Sequence, residues 1–351
     1  MKYHFSEHQL LHRPTQYVVH GRIVNPFENG ERASVLQGAL ADAGVVRAAA
    51  NGTQMEQILA VHAGHYLDYL REAYTDFMAL PNHGPEVLPN VHAYIGASAS
   101  YEQRPKPRTT GILGRSGWYV GDLSAAIMEG TYPAVIASAQ SAIGAAEEIL
   151  QGAAASFALC RPPGHHAYVD RASGFCFLNN AAIAVEVLRK TFARVALLDF
   201  DTHHGDGSQA IFYQRDDVFF GSTHTDPSAY YPHFAGYADE RGAGKGTGYN
   251  LNLPLAYGSD DAAFIAANVQ LMEAARERGA EALVLSAGWD AHHLDPFSKL
   301  AVTTDAYARI GELYGHQKLP TVIVQEGGYS LQGIHEAATA FVKGFRSARG
   351  C

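Results

Sequence analysis

The chain is 351 residues long, 47% hydrophobic and 17% charged, the composition of a globular protein with a large core rather than of a disordered segment. Lys+Arg 26 against Asp+Glu 35 gives a net charge of −9 with no basic run, which excludes the positive footprint that nucleic-acid binding needs. No apolar stretch approaches the roughly 20 residues of a membrane-spanning helix, so no membrane span is expected either.

The opening MKYHFSEHQLLHR mixes charges and histidines where a signal peptide needs a continuous apolar run, and predicts a cytoplasmic protein. A helix is predicted over 54–70. Segment 81–122 holds Pro81, Pro85, Pro89, Pro105 and Pro107 with many glycines and no sustained period, and long loops of this kind inside a domain are usually functional. Its aromatics Tyr94, Tyr101, Trp118 and Tyr119 predict an ordered excursion that packs against something. A second helix is predicted over 132–151, with Pro133 in its first turn. From about residue 153 short apolar runs alternate with amphipathic stretches. Strands are predicted over 156–160, 194–199, 218–222, 282–286 and 321–324, and helices over 179–190, 259–279, about 304–317 and after Leu331. Ser259 reads as an N-cap and Gly279 as a C-terminal glycine. Strand and helix in alternation predict a parallel α/β sheet. Cys160, Cys176 and Cys351 form no CxxC pair and fit a reducing compartment.

Three of the histidine pairs are adjacent: His165-His166, His203-His204 and His292-His293. Four predicted strands end in polar clusters, Arg161-Pro-Pro-Gly-His165-His166, Asp199-Phe-Asp201-Thr-His203-His204, Ser286-Ala-Gly-Trp-Asp290 and Glu326-Gly-Gly-Tyr329. In an open parallel sheet ligands bind beyond the carboxyl ends of the strands, so these clusters are expected to converge on one edge. In Asp199-x-Asp201-x-His203 the spacing of two places all three side chains on one face of an extended segment. Asp201 and His203, joined by Asp290 from another strand end, make a three-ligand metal set with a position left for water. His165 and His166 follow a rigid and then permissive Pro-Pro-Gly turn, and Asp199 and Asp206 are available to orient one ring each. A histidine beside such a metal site suits a general base. Tyr329 suits a hydrogen-bond donor to a carbonyl oxygen that gains negative charge. His204 has no assigned task beyond hydrogen bonding behind the site.

Taken in order, RPPGHH, GFCFLNN, DFDTHHGDG, GWDAHHLDP and EGGY closely resemble the histone deacetylase and acetylpolyamine amidohydrolase family. The resemblance runs from about residue 155 to the end, with weaker similarity in Val61-His62 and Tyr66-Leu67-Asp68-Tyr69-Leu70. It implies an α/β, arginase-deacetylase-like three-layer fold, with one central, mostly parallel eight-stranded sheet flanked by helices. It further implies a single catalytic domain over 1–351, with 81–122 as an insertion-like loop. The family's zinc ligands fall on Asp201, His203 and Asp290, and its tandem histidines on His165 and His166, oriented by Asp199 and Asp206, with His166 as the base. Tyr329 takes the place of the transition-state tyrosine, Gly174 and Phe175 that of tunnel wall, and Tyr231 that of a further aromatic. One Zn2+ per chain is implied, although two carboxylates and an imidazole also admit Fe2+ or Co2+. K+ is implied at Asp199, the carbonyls of Asp201, His203 and Thr223, and Ser222, with a second site at the carbonyls of Phe212, Arg215 and Val218 near Tyr249.

The implied reaction is deacetylation of an N-acetylated primary amine to acetate and the free amine. Segment 81–122 resembles the insertion by which polyamine-type members dimerise and narrow their entrance. Together with the acidic charge it points to small acetylated cationic amines, such as acetylputrescine, acetylcadaverine or acetylpolyamines, and to a homodimer through that loop. Relatives acting on polyamines place acidic residues at the tunnel mouth; Glu86, Glu102, Asp122 and Glu129 are candidates for that place, each read first as solvated surface charge. The alternative is a protein acetyl-lysine deacetylase with a wider entrance. A noncatalytic metal-binding protein would require none of His165, His166 and Tyr329, and an arginase-like two-manganese hydrolase would require a second full ligand set.

Overall fold

The computed structural model describes residues 1–19, 21–49, 55–93 and 105–350. Strand β1 (Lys2–His4) precedes the hairpin β2 (Tyr17–Val19) and β3 (Arg22–Val24), helix α1 (Gly30–Asp42) and strand β4 (Val46–Arg47). Helices α2 (Met55–Leu59), α3 (Gly64–Met78), α4 (Ile112–Tyr119) and α5 (Thr131–Leu150) lead to β5 (Ala155–Ala158). Then come α6 (Asn180–Leu188), β6 (Val195–Asp199), α7 (Asp206–Phe212), β7 (Val218–Thr225) and β8 (Asn250–Leu255). The chain ends with α8 (Asp261–Glu277), β9 (Ala282–Ala287), α9 (Thr304–His316), β10 (Thr321–Gln325) and α10 (Leu331–Arg349).

Eight of these strands form one sheet in the order β4-β1-β5-β10-β9-β6-β7-β8, with every pairing parallel. The strand period of two sorts the core into two layers. Val195 and Leu197 of β6 pack with α3, α5 and α6, while Ala196 and Leu198 pack with α1, α8, α9 and α10. Val284 against Leu285 in β9, and Val324 against Ile323 in β10, divide the same way. Both faces are covered, as a parallel sheet requires, giving the three-layer architecture expected from the sequence. Because the strands run in one direction, the loops after β5, β6, β9 and β10 leave the sheet at the same edge. Among the described residues no helix is long and apolar enough to cross a membrane.

Several boundaries differ from the sequence expectations. The helix predicted over 54–70 is two helices, interrupted where Ala63 donates its N–H to the Val169 carbonyl at 3.0 Å and caps α3. The N-cap of α8 is Asp260 rather than Ser259, because the Asp260 carboxylate accepts from Ala263 N at 3.1 Å. Strand β8, sequence NLNLPL, was not foreseen although Leu251, Leu253 and Leu255 alternate along it; it lies at the sheet edge, where Pro254 is tolerated. Segment 81–122 is not without period: residues 112–119 form α4, and Val87 bridges to Ile127. Tyr119 is buried there, stacked on Tyr69 with ring centroids 4.7 Å apart, and Trp118 packs partly buried against the same core. These two aromatics therefore find their cover within the chain; Tyr94 and Tyr101 lie outside the described residues.

Candidate active site

At the carboxyl edge of the sheet the end of β6 turns so that Asp201 and His203 meet Asp290, which follows β9. Their ligand atoms all lie within 4.8 Å of one another, with His203 Nδ1 3.1 Å from both Asp201 Oδ1 and Asp290 Oδ2. Asp201 and Asp290 are fully buried, a costly placement for two carboxylates unless a cation joins them. Burial alone would lower the pKa of His203, but the hydrogen bonds to Asp201 and Asp290 raise it, a sign of how strongly the two carboxylates favour a positive charge between them. The backbone is shaped to the carboxylates. A Cβ on Gly288 would stand 2.1 Å from Asp201 Oδ2, and one on Gly327 2.3 Å from Asp290 Oδ2, so only glycine admits the cradle. Two hard oxygen donors and one imidazole, held on a glycine-lined floor, fit a single transition metal. A second trio, His165, Cys176 and Glu326, is equally close-set but already committed. Glu326 accepts from Gly164 N, His165 N and Ser286 Oγ, while burial holds the Cys176 thiol well above its usual range and so protonated.

The tandem histidines enter on the loop after β5. His165 Nδ1 is 2.9 Å from Asp199 Oδ2, and His166 Nδ1 is 2.6 Å from Asp206 Oδ1, so each ring has the orienting carboxylate anticipated for it. Their charges diverge. Burial would lower His165, but Asp199 and Asp201 outweigh it and hold the ring well above the usual histidine range. Burial, reinforced by the adjacent positive His165, pushes His166 down to about 4 despite Asp206. The two rings are thus pushed in opposite directions, His165 toward its charged form and His166 toward its neutral one.

Above the metal set a cavity of about 620 Å³ opens, lined among others by His166, Gly174, Phe175, His203, Tyr230, Tyr231, Phe297 and Tyr329. Gly174 takes a positive φ of 54°, and a Cβ there would stand 2.4 Å from His166 Cδ2. The ring of Phe175 lies 5.7 Å from that of Tyr329, and Phe297 meets Tyr329 edge-on at 4.9 Å. Burial holds the Tyr329 phenol well above its usual range, so its hydroxyl keeps its proton and can donate. The backbone N–H groups of Tyr329 and Ser330 donate to Asp295 Oδ2 at 2.6 and 2.9 Å, fixing the tyrosine's approach.

A family model described as the histone deacetylase domain matches residues 26–345. The chain belongs to the histone deacetylase domain family. An acetylpolyamine amidohydrolase of Burkholderia pseudomallei is 44% identical over 99% of both chains, and one of Mycoplana ramosa is 38% identical over 98% of this chain and 99% of its own length. A crystal structure of the Burkholderia pseudomallei acetylpolyamine aminohydrolase superposes with a TM-score of 0.94 over 99% of both chains. The fold is therefore the arginase-deacetylase fold of this enzyme family, and the match extends ahead of residue 155 to include the amino-terminal segments.

Among the histone deacetylase family residues foreseen in the sequence, the metal trio, both histidines with their carboxylates, and Gly174, Phe175, Tyr231 and Tyr329 meet in one place. The candidate mouth carboxylates do not. Glu86 is buried and accepts from the Thr15 N–H and hydroxyl, and Glu129 is exposed and does not line the cavity. Glu102 lies outside the described residues. Asp122 does line the cavity, but its oxygens are occupied by neighbours in the wall. Among the described residues these candidates therefore form no free acidic mouth.

Sequence reading missed the supports behind the site. Buried Glu28 lies 2.8 Å from Arg32 Nη1 and 2.9 Å from Arg161 Nε. Arg32 in turn donates to the carbonyls of Gly328 and Glu326, and its guanidinium sits 4.9 Å from the Tyr329 ring centroid. Arg161 donates to the carbonyls of Gln9 and His12. Arg161 opens the RPPGHH motif and could have been noticed there; Glu28 and Arg32 have the i,i+4 spacing of a helical ion pair, a local signal that does not itself point to the site. His204 is fully buried with Nε2 3.2 Å from Asn252 Oδ1, a hydrogen-bonding place behind the site.

Proposed function

We propose that the chain hydrolyses the amide of small N-acetylated cationic amines, releasing acetate and the free amine. The observation that carries the reading is an open carboxylate–imidazole metal set beside two histidines, each held by its own carboxylate, at the foot of a tunnel. Full-length likeness to acetylpolyamine amidohydrolases favours small acetylated amines over acetyl-lysine proteins.

Asp201, His203 and Asp290 would hold the metal, Zn2+ being the expected ion. The metal supplies Lewis acidity toward the amide carbonyl and the attacking water. His166, neutral and held by Asp206, accepts the proton of the water as its oxygen bonds to the carbonyl carbon. Tyr329 donates its hydroxyl to the carbonyl oxygen as charge develops there. His165, charged and held by Asp199, stabilises that negative charge. As the C–N bond breaks, a proton from the histidine pair passes to the amine nitrogen, which departs neutral. Gly174, Phe175 and Tyr231 form walls that suit a methylene chain.

K+ binding belongs to the same proposal. The parallel register sets Asp199 opposite Ser222 on adjoining strands, supporting a site from Asp199, Ser222 and the carbonyls of Asp201, His203 and Thr223. The second set, Phe212, Arg215 and Val218 near Tyr249, lies between α7 and β7. A homodimer through 81–122 is also carried forward, although Trp118 and Tyr119 no longer argue for it.

Steady-state kinetics with acetylputrescine, acetylcadaverine, acetylspermidine and an acetyl-lysine peptide tests the reading. The expected result is a higher kcat/KM on an acetylated amine than on the peptide; the reverse order would move the assignment to a protein deacetylase.

A further inference from the structure

Two tunnel walls come from distant parts of the chain. One is a tight turn in which Ser173 and Cys176 exchange backbone hydrogen bonds at 3.0 and 2.8 Å around Gly174 and Phe175. Both central residues have positive φ, 54° and 66°; for phenylalanine this left-handed conformation is strained and persists only where neighbours enforce it. The other wall is Tyr231, whose ring stands edge-on to His166 at 4.9 Å.

One carboxylate joins them. Asp122 Oδ2 accepts from Gly174 N at 2.9 Å and from the Tyr231 hydroxyl at 2.7 Å, while Ser173 Oγ, 3.3 Å away, shares its hydroxyl with the Tyr231 oxygen at 2.9 Å. Its other oxygen accepts from Ser124 N at 2.8 Å and Ser124 Oγ at 2.6 Å. A carboxylate offers about four lone-pair sites, so this one has no lone pair left for the ammonium of a substrate. Its position beside the cavity is that of a strut. We infer that Asp122 is a positioning residue that sets the bore of the tunnel, tying the strained Gly174-Phe175 turn to Tyr231, and that it does not serve as the cation subsite. Through Phe175, which faces the Tyr329 ring, the same tie limits how far the tyrosine can swing.

The inference rests on the deacetylase reading only for what passes through the tunnel, and the test separates the two. Two linear alkyl hydroxamates of equal length, one ending in a primary ammonium and one in a methyl group, are titrated calorimetrically into zinc-loaded wild type, Asp122→Asn, Tyr231→Phe and the double variant. A strut predicts that Asp122→Asn weakens both ligands by a similar factor, about 10-fold, because Asn has one oxygen to serve both the Gly174–Tyr231 side and the Ser124 side, where the carboxylate has two. It also predicts that the double variant binds little worse than Asp122→Asn alone, since both changes cut the same tie. Kinetically, KM should rise on a neutral N-alkylacetamide as much as on acetylputrescine, with a smaller fall in kcat. A loss confined to the ammonium-ended ligand, or no loss for either, overturns the inference. If Asp122→Asn does not fold, Tyr231→Phe alone carries the test: equal weakening of both ligands supports the strut, and unchanged binding refutes it. Wild type that binds both hydroxamates yet hydrolyses no acetylated amine would refute the deacetylase reading while leaving the binding comparison decisive for Asp122.

Discussion

Asp201 and His203 leave β6 side by side and turn their polar atoms toward a ligand, whereas Glu28 and Arg32, beside and within α1, turn theirs toward each other and toward backbone carbonyls. Both groups are buried and charged. In the first the charges are held open by a glycine floor, so a cation from solution completes them. In the second Glu28 Oε1 lies between Arg32 and Arg161, so its charge is met from within the folded chain. Removing a charge from the carboxyl-terminal group should therefore alter chemistry, and removing one from the amino-terminal group should alter stability.

The largest effect is expected at the metal set. Asp290→Ala, or dialysis against a chelator, should abolish turnover, and only the chelated wild type should recover when zinc is restored. One transition metal per chain is expected by elemental analysis; two essential metals would replace this mechanism with an arginase-like one. Next come the groups that move protons. His166→Ala should lower kcat by about 10²–10⁴, the usual span for a general base, and His165→Ala by less. Tyr329→Phe should cost about 10²–10³ in kcat with its ring packing retained. Near-normal kcat in His166→Ala with inactivity in His165→Ala would interchange the two assignments.

Glu28→Gln sharpens the comparison from the other side. It keeps the side-chain shape but leaves Arg32 and Arg161 buried without their shared counter-charge, which should destabilise the fold by about 3–5 kcal/mol. A urea titration reads it directly. A variant with wild-type stability and lost activity would place Glu28 with the chemistry instead.

The difference in physics is also a difference in what a sequence can reveal. The metal set was legible because a spacing of two at the end of a buried strand puts its members on one face, and because a parallel sheet brings strand ends together. The boundaries of the carboxyl-terminal strands followed from their apolar runs for the same reason. The amino-terminal contributions have no such grammar. Arg32 finds its carbonyl 296 positions away at Gly328, and Asp122 finds Tyr231 across 109 positions, distances over which no local pattern acts. Strands β1 and β4 are too short to show a period, and α4 was masked by the surrounding prolines and glycines. The mouth carboxylates were sought by charge alone, and charge does not say whether an acid faces solvent or accepts from its own backbone, as Glu86 does.

His62 offers the finest test, because it is an amino-terminal residue that supports the carboxyl-terminal motifs without carrying charge. Its Nε2 accepts from Asn179 N at 2.8 Å and its Nδ1 donates to the Val169 carbonyl at 3.2 Å, so the neutral ring satisfies both partners. Asn179 in turn caps α6, its side chain accepting from Ala182 N at 2.9 Å. Protonation would place a second donor against the Asn179 N–H in a dry setting, and burial accordingly pushes the His62 pKa down to about 4 from the ordinary histidine value of 6.5. The unfolded chain therefore takes up this proton first as the solution is acidified. The stability contributed by neutral His62 is complete above about pH 6.5 and is lost progressively as the pH falls toward 4. At pH 5.5 the loss is about 1 kcal/mol for this one group. His224 is lowered to about 4 by burial as well, so wild type alone would not isolate the effect. His62→Gln keeps an acceptor but cannot titrate, and its stability should fall less steeply than that of wild type between pH 7 and 5 in parallel urea titrations. Parallel slopes in the two proteins would mean that His62 is already protonated, or shares its proton equally, in the folded chain, and that Asn179 is held without it.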